Sequence, residues 1–140
     1  MSNYIGETKV NYQSQENRVI SCSSDVYEEI KEYAVCEQEH FITIYLDGAN
    51  RIIETRVNFI GTLNQSLVHP RDIFRTAVRL NVASIIIVHN HPSNILRPSE
   101  EDLNVTQRIK ESGQVLGIDL LDHIIISSNG YYSFKSKNIL

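Results

Sequence analysis

The chain is predicted to fold as an α/β (α+β) domain, a single mixed β-sheet flanked by helices. Three observations predict this. Helical and strand periodicities follow one another in the order α-β-β-α-β-α-β-β. Ala83–Val88 is a run dominated by β-branched residues, the pattern of a central strand covered on both faces. Two turn signals, Asp47-Gly48-Ala49-Asn50 and Asn129-Gly130, separate strand-like runs and predict hairpins.

At 140 residues, 41% hydrophobic and 21% charged, the chain has the size and composition of one globular domain. Residues 1–20 are polar and without sustained period. They are expected to be a loose leader, with a short edge strand around Arg18–Ser21, and the domain occupies 21–140. Ser24 or Asp25 is expected to cap a first helix running to about Val35. Its apolar stripe is Val26, Ile30 and Tyr33 or Ala34. Glu39–Leu46 and Arg51–Phe59 read as two strands of a hairpin. Pro70 suits the first turn of a helix to Leu80, with Ile73, Phe74, Ala77 and Val78 facing inward. After the Ala83–Val88 strand, a helix is expected from Ser99 to about Ser112, stopped by Gly113. Leu120–Ser127 and Tyr131–Phe134 form the last hairpin.

The net charge of −4 argues against a protein built mainly to grip phosphates. Arg71, Arg75 and Arg79 recur at helical spacing, which suits a local basic patch or, more simply, a solvated helix face. Cys22 and Cys36 form no Cys-x-x-Cys pair and read as reduced thiols. No stretch has the length and apolarity of a membrane span, and the first eighteen residues hold no apolar signal core. A cytoplasmic location is expected.

The chemistry concentrates in residues 89–102. His89 and His91 stand two apart at the end of the buried strand, so both rings face one side. Catalytic zinc takes three protein ligands from His and carboxylate and leaves one position open. Asp102, returned by a loop stiffened by Pro92 and Pro98, is the natural third ligand. The same residues have a second reading: Ser99 as helix cap with Asp102 at the third helical position is a capping-box pattern that needs no metal. Composition and spacing leave both readings open.

His-x-His, seven residues, then Ser-x-x-Asp is the JAMM signature, and the chain resembles the JAB/MPN metalloprotease superfamily in carrying it whole. Within that superfamily it is most similar to the RadC family. Glu39-His40-Phe41, His69-Pro70-Arg71-Asp72-Ile73-Phe74, His89-Asn90-His91-Pro92-Ser93, Pro98-Ser99, Leu116-Gly117-Ile118 and Leu121-Asp122-His123 carry the likeness in order, over about residues 20–135. The resemblance implies a JAB/MPN-like (cytidine deaminase-like) architecture. It implies Zn2+ held by His89, His91 and Asp102, with a bound water as nucleophile. Glu39 is implied as general base and then acid, and Ser99 as hydrogen-bond donor to the tetrahedral oxyanion. The substrate so implied is a peptide or protein, cleaved at an amide or isopeptide bond.

One departure is Asn94, where RadC proteins usually have Gly; Asn tolerates a left-handed backbone better than most residues. Another is the absence of the N-terminal helix-hairpin-helix-like region of longer RadC proteins, which weakens any inference of DNA binding. His40 should face away from Glu39 and serve structure. His69 is a weaker candidate to line the cleft, Asp122-His123 reads first as a satisfied strand pair, and Arg71 alone is weak evidence for an acidic ligand. Competing readings are a DNA repair-associated accessory, with salt-sensitive DNA binding, and a catalytically silent MPN scaffold.

Overall fold

The computed structural model describes residues 18–64 and 66–140. The leader expected over 1–20 therefore lies outside the described residues except for its last three, where a single bridge from Val19 to Arg51 stands in place of the short edge strand expected around Arg18–Ser21. The elements are α1 (Ser23–Ile30), a 3-10 turn (Lys31–Val35), β1 (His40–Leu46), β2 (Ile52–Ile60), α2 (Pro70–Arg79), β3 (Ser84–Asn90), α3 (Glu100–Leu116), β4 (Asp119–Ser127) and β5 (Gly130–Ser133). One five-stranded sheet has the order β2-β1-β3-β4-β5. Only β3 and β4 run parallel; the other neighbours are antiparallel. This is the mixed sheet flanked by helices that the periodicities predict.

Layering follows from strand alternation. Phe41, Tyr45, Ile85 and Ile87 turn to one face and pack with Ile73, Phe74 and Ala77 of α2 and Val105 and Ile109 of α3. Ile42, Ile44, Leu46, Ile86, Val88, Ile124 and Ile126 turn to the other and pack with Val26, Ile30 and Ala34. Every residue of β3 is buried because the strand has helices over both faces and a strand at either edge. Among the described residues no helix is long and apolar enough to cross a membrane.

Several expected details shift. The first helix is capped at Cys22, and Asp25 works from the third helical position, its carboxylate accepting from Ser21 N–H at 2.8 Å. Val78 is 60% exposed; Thr76 takes the inward position on α2. β3 runs two residues beyond Val88, so His89 lies on the strand itself. The turn of the last hairpin is Ser128-Asn129, and Gly130 already pairs with Ser127.

Gly113 does not end α3. The helix continues to Leu116 and closes on Gly117, whose φ of 74° is the left-handed cap. Gly113 serves a close approach instead: a Cβ there would meet the Ile118 carbonyl oxygen at 2.2 Å, because the chain folds back over it into β4. Ala is the better helix former by about 1 kcal/mol, yet Gly113→Ala is expected to destabilise the protein, by about 1–3 kcal/mol of overpacking. A raised thermal midpoint in that variant would refute this.

Candidate metal centre

His89 near the end of β3 and His91 just past it lie on the α2–α3 side of the sheet, and Asp102 sits in the first turn of α3 directly against them. Asp102 is 0% exposed. Its Oδ1 lies 3.1 Å from His89 Nδ1, and its Oδ2 lies 3.2 Å from His91 Nε2. The capping box is present as well: Ser99 N–H donates to Asp102 Oδ2 at 2.7 Å, and Asp102 N–H donates to Ser99 Oγ at 3.1 Å. The two readings of the sequence are thus one arrangement, in which the cap aims the carboxylate at the imidazoles.

Glu39, immediately before β1, brings its Oε1 to 2.7 Å from His89 Nε2 across a sequence gap of 50 residues. The same oxygen accepts from Leu63 N–H at 3.2 Å. Antiparallel pairing of Phe41 with His89 sets this meeting, because Glu39 and Phe41 share a face of the strand. Glu39, His89, His91 and Ser99 line an open cleft of about 640 Å³ together with Glu37, Leu63, Pro92, Ser93 and Glu101. Its charged lining beyond the imidazoles is three glutamates; no lysine or arginine among the described residues lines it.

The electrostatics follow from the contacts. Burial opposes ionisation of Asp102, but hydrogen bonds from His89, His91 and Ser99 N–H outweigh it and hold the carboxyl well below the usual range. Burial likewise opposes charge on His89, and the two flanking carboxylates prevail and raise its pKa. The hydrogen bond to His89 holds Glu39 down against a smaller burial effect, so it is a carboxylate at neutral pH.

The donor set fits a divalent transition metal. One ligand atom each from His89, His91 and Asp102 can be chosen so that all lie within 4.8 Å of one another. Tetrahedral zinc, with bonds of about 2.0–2.1 Å, needs ligand atoms roughly 3.3 Å apart, near the 3.2 Å between His91 Nε2 and Asp102 Oδ2. His91 Nδ1–H donates to Ile95 O at 2.7 Å, which leaves Nε2, facing Asp102, as the nitrogen available to a metal. Such an outer hydrogen bond is the usual way a ligating imidazole is oriented.

The loop between ligands is tied down at Asn94. Its φ of 67° is left-handed, as glycine there would allow, and its Oδ1 also accepts from Ser128 Oγ at 2.8 Å. A glycine could not make that tie to the last hairpin turn.

The weaker candidates fall elsewhere. His40 packs its ring against that of Tyr33 in a tilted pair, 5.3 Å between centroids. His69 is the N-cap position of α2 and is not among the cleft-lining residues. Arg71 is exposed beside Asp72, with 3.8 Å between charged atoms. Asp122 accepts from Ser133 Oγ, Lys135 N–H and His123 N–H and is satisfied within the fold.

His123 is fully buried against the Phe134 ring, 4.4 Å between centroids. Thr106 Oγ1 donates to Asp102 O at 2.7 Å, so its lone pair faces His123 Nδ1 at 2.5 Å. Burial pushes this imidazole down to about 3. It stays neutral in the fold but takes a proton at about 6.5 when unfolded. The folded pKa is the depressed one, so its contribution is complete above 6.5 and is lost as pH falls from 6.5 towards 3. The slope is at most about 1.4 kcal/mol per pH unit. Urea unfolding between pH 7 and 4 should therefore show a flatter pH dependence in His123→Gln than in the wild type. Equal slopes would exclude His123 as a source of acid lability.

Comparison with known proteins supplies the last finding. A family described as RadC-like JAB domain matches residues 20–139. A UPF0758 protein of Bacillus licheniformis is 54% identical over 103 residues, which is 74% of this chain and 46% of that protein. One from Clostridium perfringens is 51% identical over 122 residues, 86% of this chain and 54% of the relative. One from Listeria monocytogenes is 48% identical over 124 residues, 88% and 55% respectively. The chain spans about half the length of these curated relatives.

Proposed function

The chain belongs to the RadC-like JAB domain family, and we propose from that premise that it is a zinc-dependent hydrolase of an amide or isopeptide bond in a peptide or protein. The observation that carries the reading is the Glu39 carboxylate, brought within 2.7 Å of His89 beside the His89–His91–Asp102 group. A structural metal site has no need of a carboxylate open to a cleft beside its ligands.

Zinc bound by His89, His91 and Asp102 would supply Lewis acidity and acidify water at its open position. Glu39, ionised and open to the cleft, accepts the proton of the attacking water and delivers it to the leaving amine. Ser99 Oγ spends a lone pair on Asp102 N–H, and its own hydrogen remains to donate to the developing oxyanion. Asp102 and the Ile95 carbonyl hold the two imidazoles in orientation.

The lining of the cleft supports a peptide over a nucleic acid. The glutamates Glu37 and Glu39 line the cleft, and among the described residues no lysine or arginine lines it that could replace the counterions of a phosphate backbone. A cytoplasmic location is part of the reading and is supported by the two unpaired cysteines, Cys22 and Cys36. The test is metal analysis of the purified chain, followed by a screen of peptide and isopeptide probes with and without chelation. About one zinc per chain and cleavage that falls on chelation and returns with zinc are expected. A protein that neither retains nor rebinds stoichiometric zinc ends the proposal.

A further inference from the structure

Asn90 lies between the two histidines but faces away from them. Strand alternation turns it to the α1 side of the sheet, where it is 0% exposed. Its side-chain amide reaches across to the chain around Glu39. Oδ1 accepts from His40 N–H at 2.5 Å, and Nδ2 donates to Gln38 O at 3.0 Å. Those two backbone groups flank Glu39. The last main-chain pair between β1 and β3 is Phe41 with His89, so the Asn90 amide adds one more rung, made of side-chain atoms. From the other side, Gly61 N–H donates to Glu39 O at 2.8 Å.

We propose that Asn90 is the positioning residue for Glu39: it clamps the peptide groups on either side and so sets the carboxylate against the metal ligands. The inference rests on the base role given to Glu39 above. The clamp needs an acceptor and a donor on one short planar group, which asparagine supplies and aspartate or leucine does not. The precision matters because a displacement of about 1 Å in a reacting group costs on the order of 100-fold in rate. Asn90 thereby makes the strand that carries the ligands also set the distance to the base. No substrate needs to touch it.

Two variants in the full chain test this. Asn90→Asp keeps the acceptor for His40 N–H and loses the donor to Gln38; Asn90→Ala loses both. With zinc content equal to that of the wild type, both should lower kcat by roughly 10- to 100-fold while KM stays within about twofold, and Ala should be the more severe. Residue-resolved hydrogen exchange gives a readout independent of activity. The His40 amide should be protected in the wild type, remain protected in Asn90→Asp, and exchange at least about tenfold faster in Asn90→Ala, with β4 and α3 unchanged. Retained kcat in both variants, or an unprotected His40 amide in the wild type, overturns the proposal; the second needs no variant to fold. A wild type that binds zinc but cleaves no probe defeats the hydrolase reading, and the exchange measurement still decides whether Asn90 holds the Glu39 segment.

Discussion

Glu39→Gln is expected to lower hydrolysis by about 10²–10⁴-fold, the usual contribution of a general base, and to leave metal binding intact. The glutamine has the same length, so its carbonyl can still accept from Leu63 N–H as Oε1 does at 3.2 Å. What it lacks is basicity. Metal analysis beside a rate measurement separates the outcomes. Full activity removes Glu39 from the mechanism, and loss of zinc would make it a ligand instead.

Asp102→Ala should be the most damaging single change to the site as a structure. The carboxylate is fully buried and meets both imidazoles and the Ser99 amide. Removing one partner of such a buried charged group typically costs about 3–5 kcal/mol, because the remaining groups stay buried without compensation. Zinc binding should be lost with it. His91→Ala should also lose zinc, at a smaller cost in stability, since the buried Asp102 keeps His89 and the Ser99 N–H as partners and the His91 side chain is already 13% exposed. Urea unfolding and zinc titration of the two variants give the ranking. Wild-type zinc affinity in Asp102→Ala would exclude it as a ligand.

The sheet and the ligand group were legible in the sequence for the same reason: both depend on local pattern. The β-branched run before His89 marks a strand with two covered faces, and alternation then sets both histidines on one side. The capping pattern at Ser99 places Asp102 on the opening turn of a helix. Details that depend on distant parts of the chain were not legible. Gly113 looks like a helix stop because its partner, the Ile118 carbonyl, meets it only after the chain has turned back. Val78 fits the apolar stripe of α2 by period, but helix orientation over the sheet is decided by packing of Ile73, Phe74 and Ala77. Asn90 carries no signal at all in isolation. A polar residue between two ligands reads as a solvent-facing position, and both its partners lie some fifty residues earlier. Glu39 is legible only through the family resemblance, since no spacing rule joins it to His89.

A ribosome makes this sheet out of spatial order. β3 can add to β1 once residue 90 has emerged, but its other edge waits for β4, beyond residues 91–118. At synthesis rates of about 5–20 residues per second, that edge stays open for roughly 1–6 s. It belongs to the one strand among the described residues in which every residue is destined for burial. α3, made during the interval, covers a face of the strand and cannot pair its edge. An unpaired edge on an apolar strand is an aggregation hazard in a nascent chain, so the strand that carries His89 depends on prompt completion of β4.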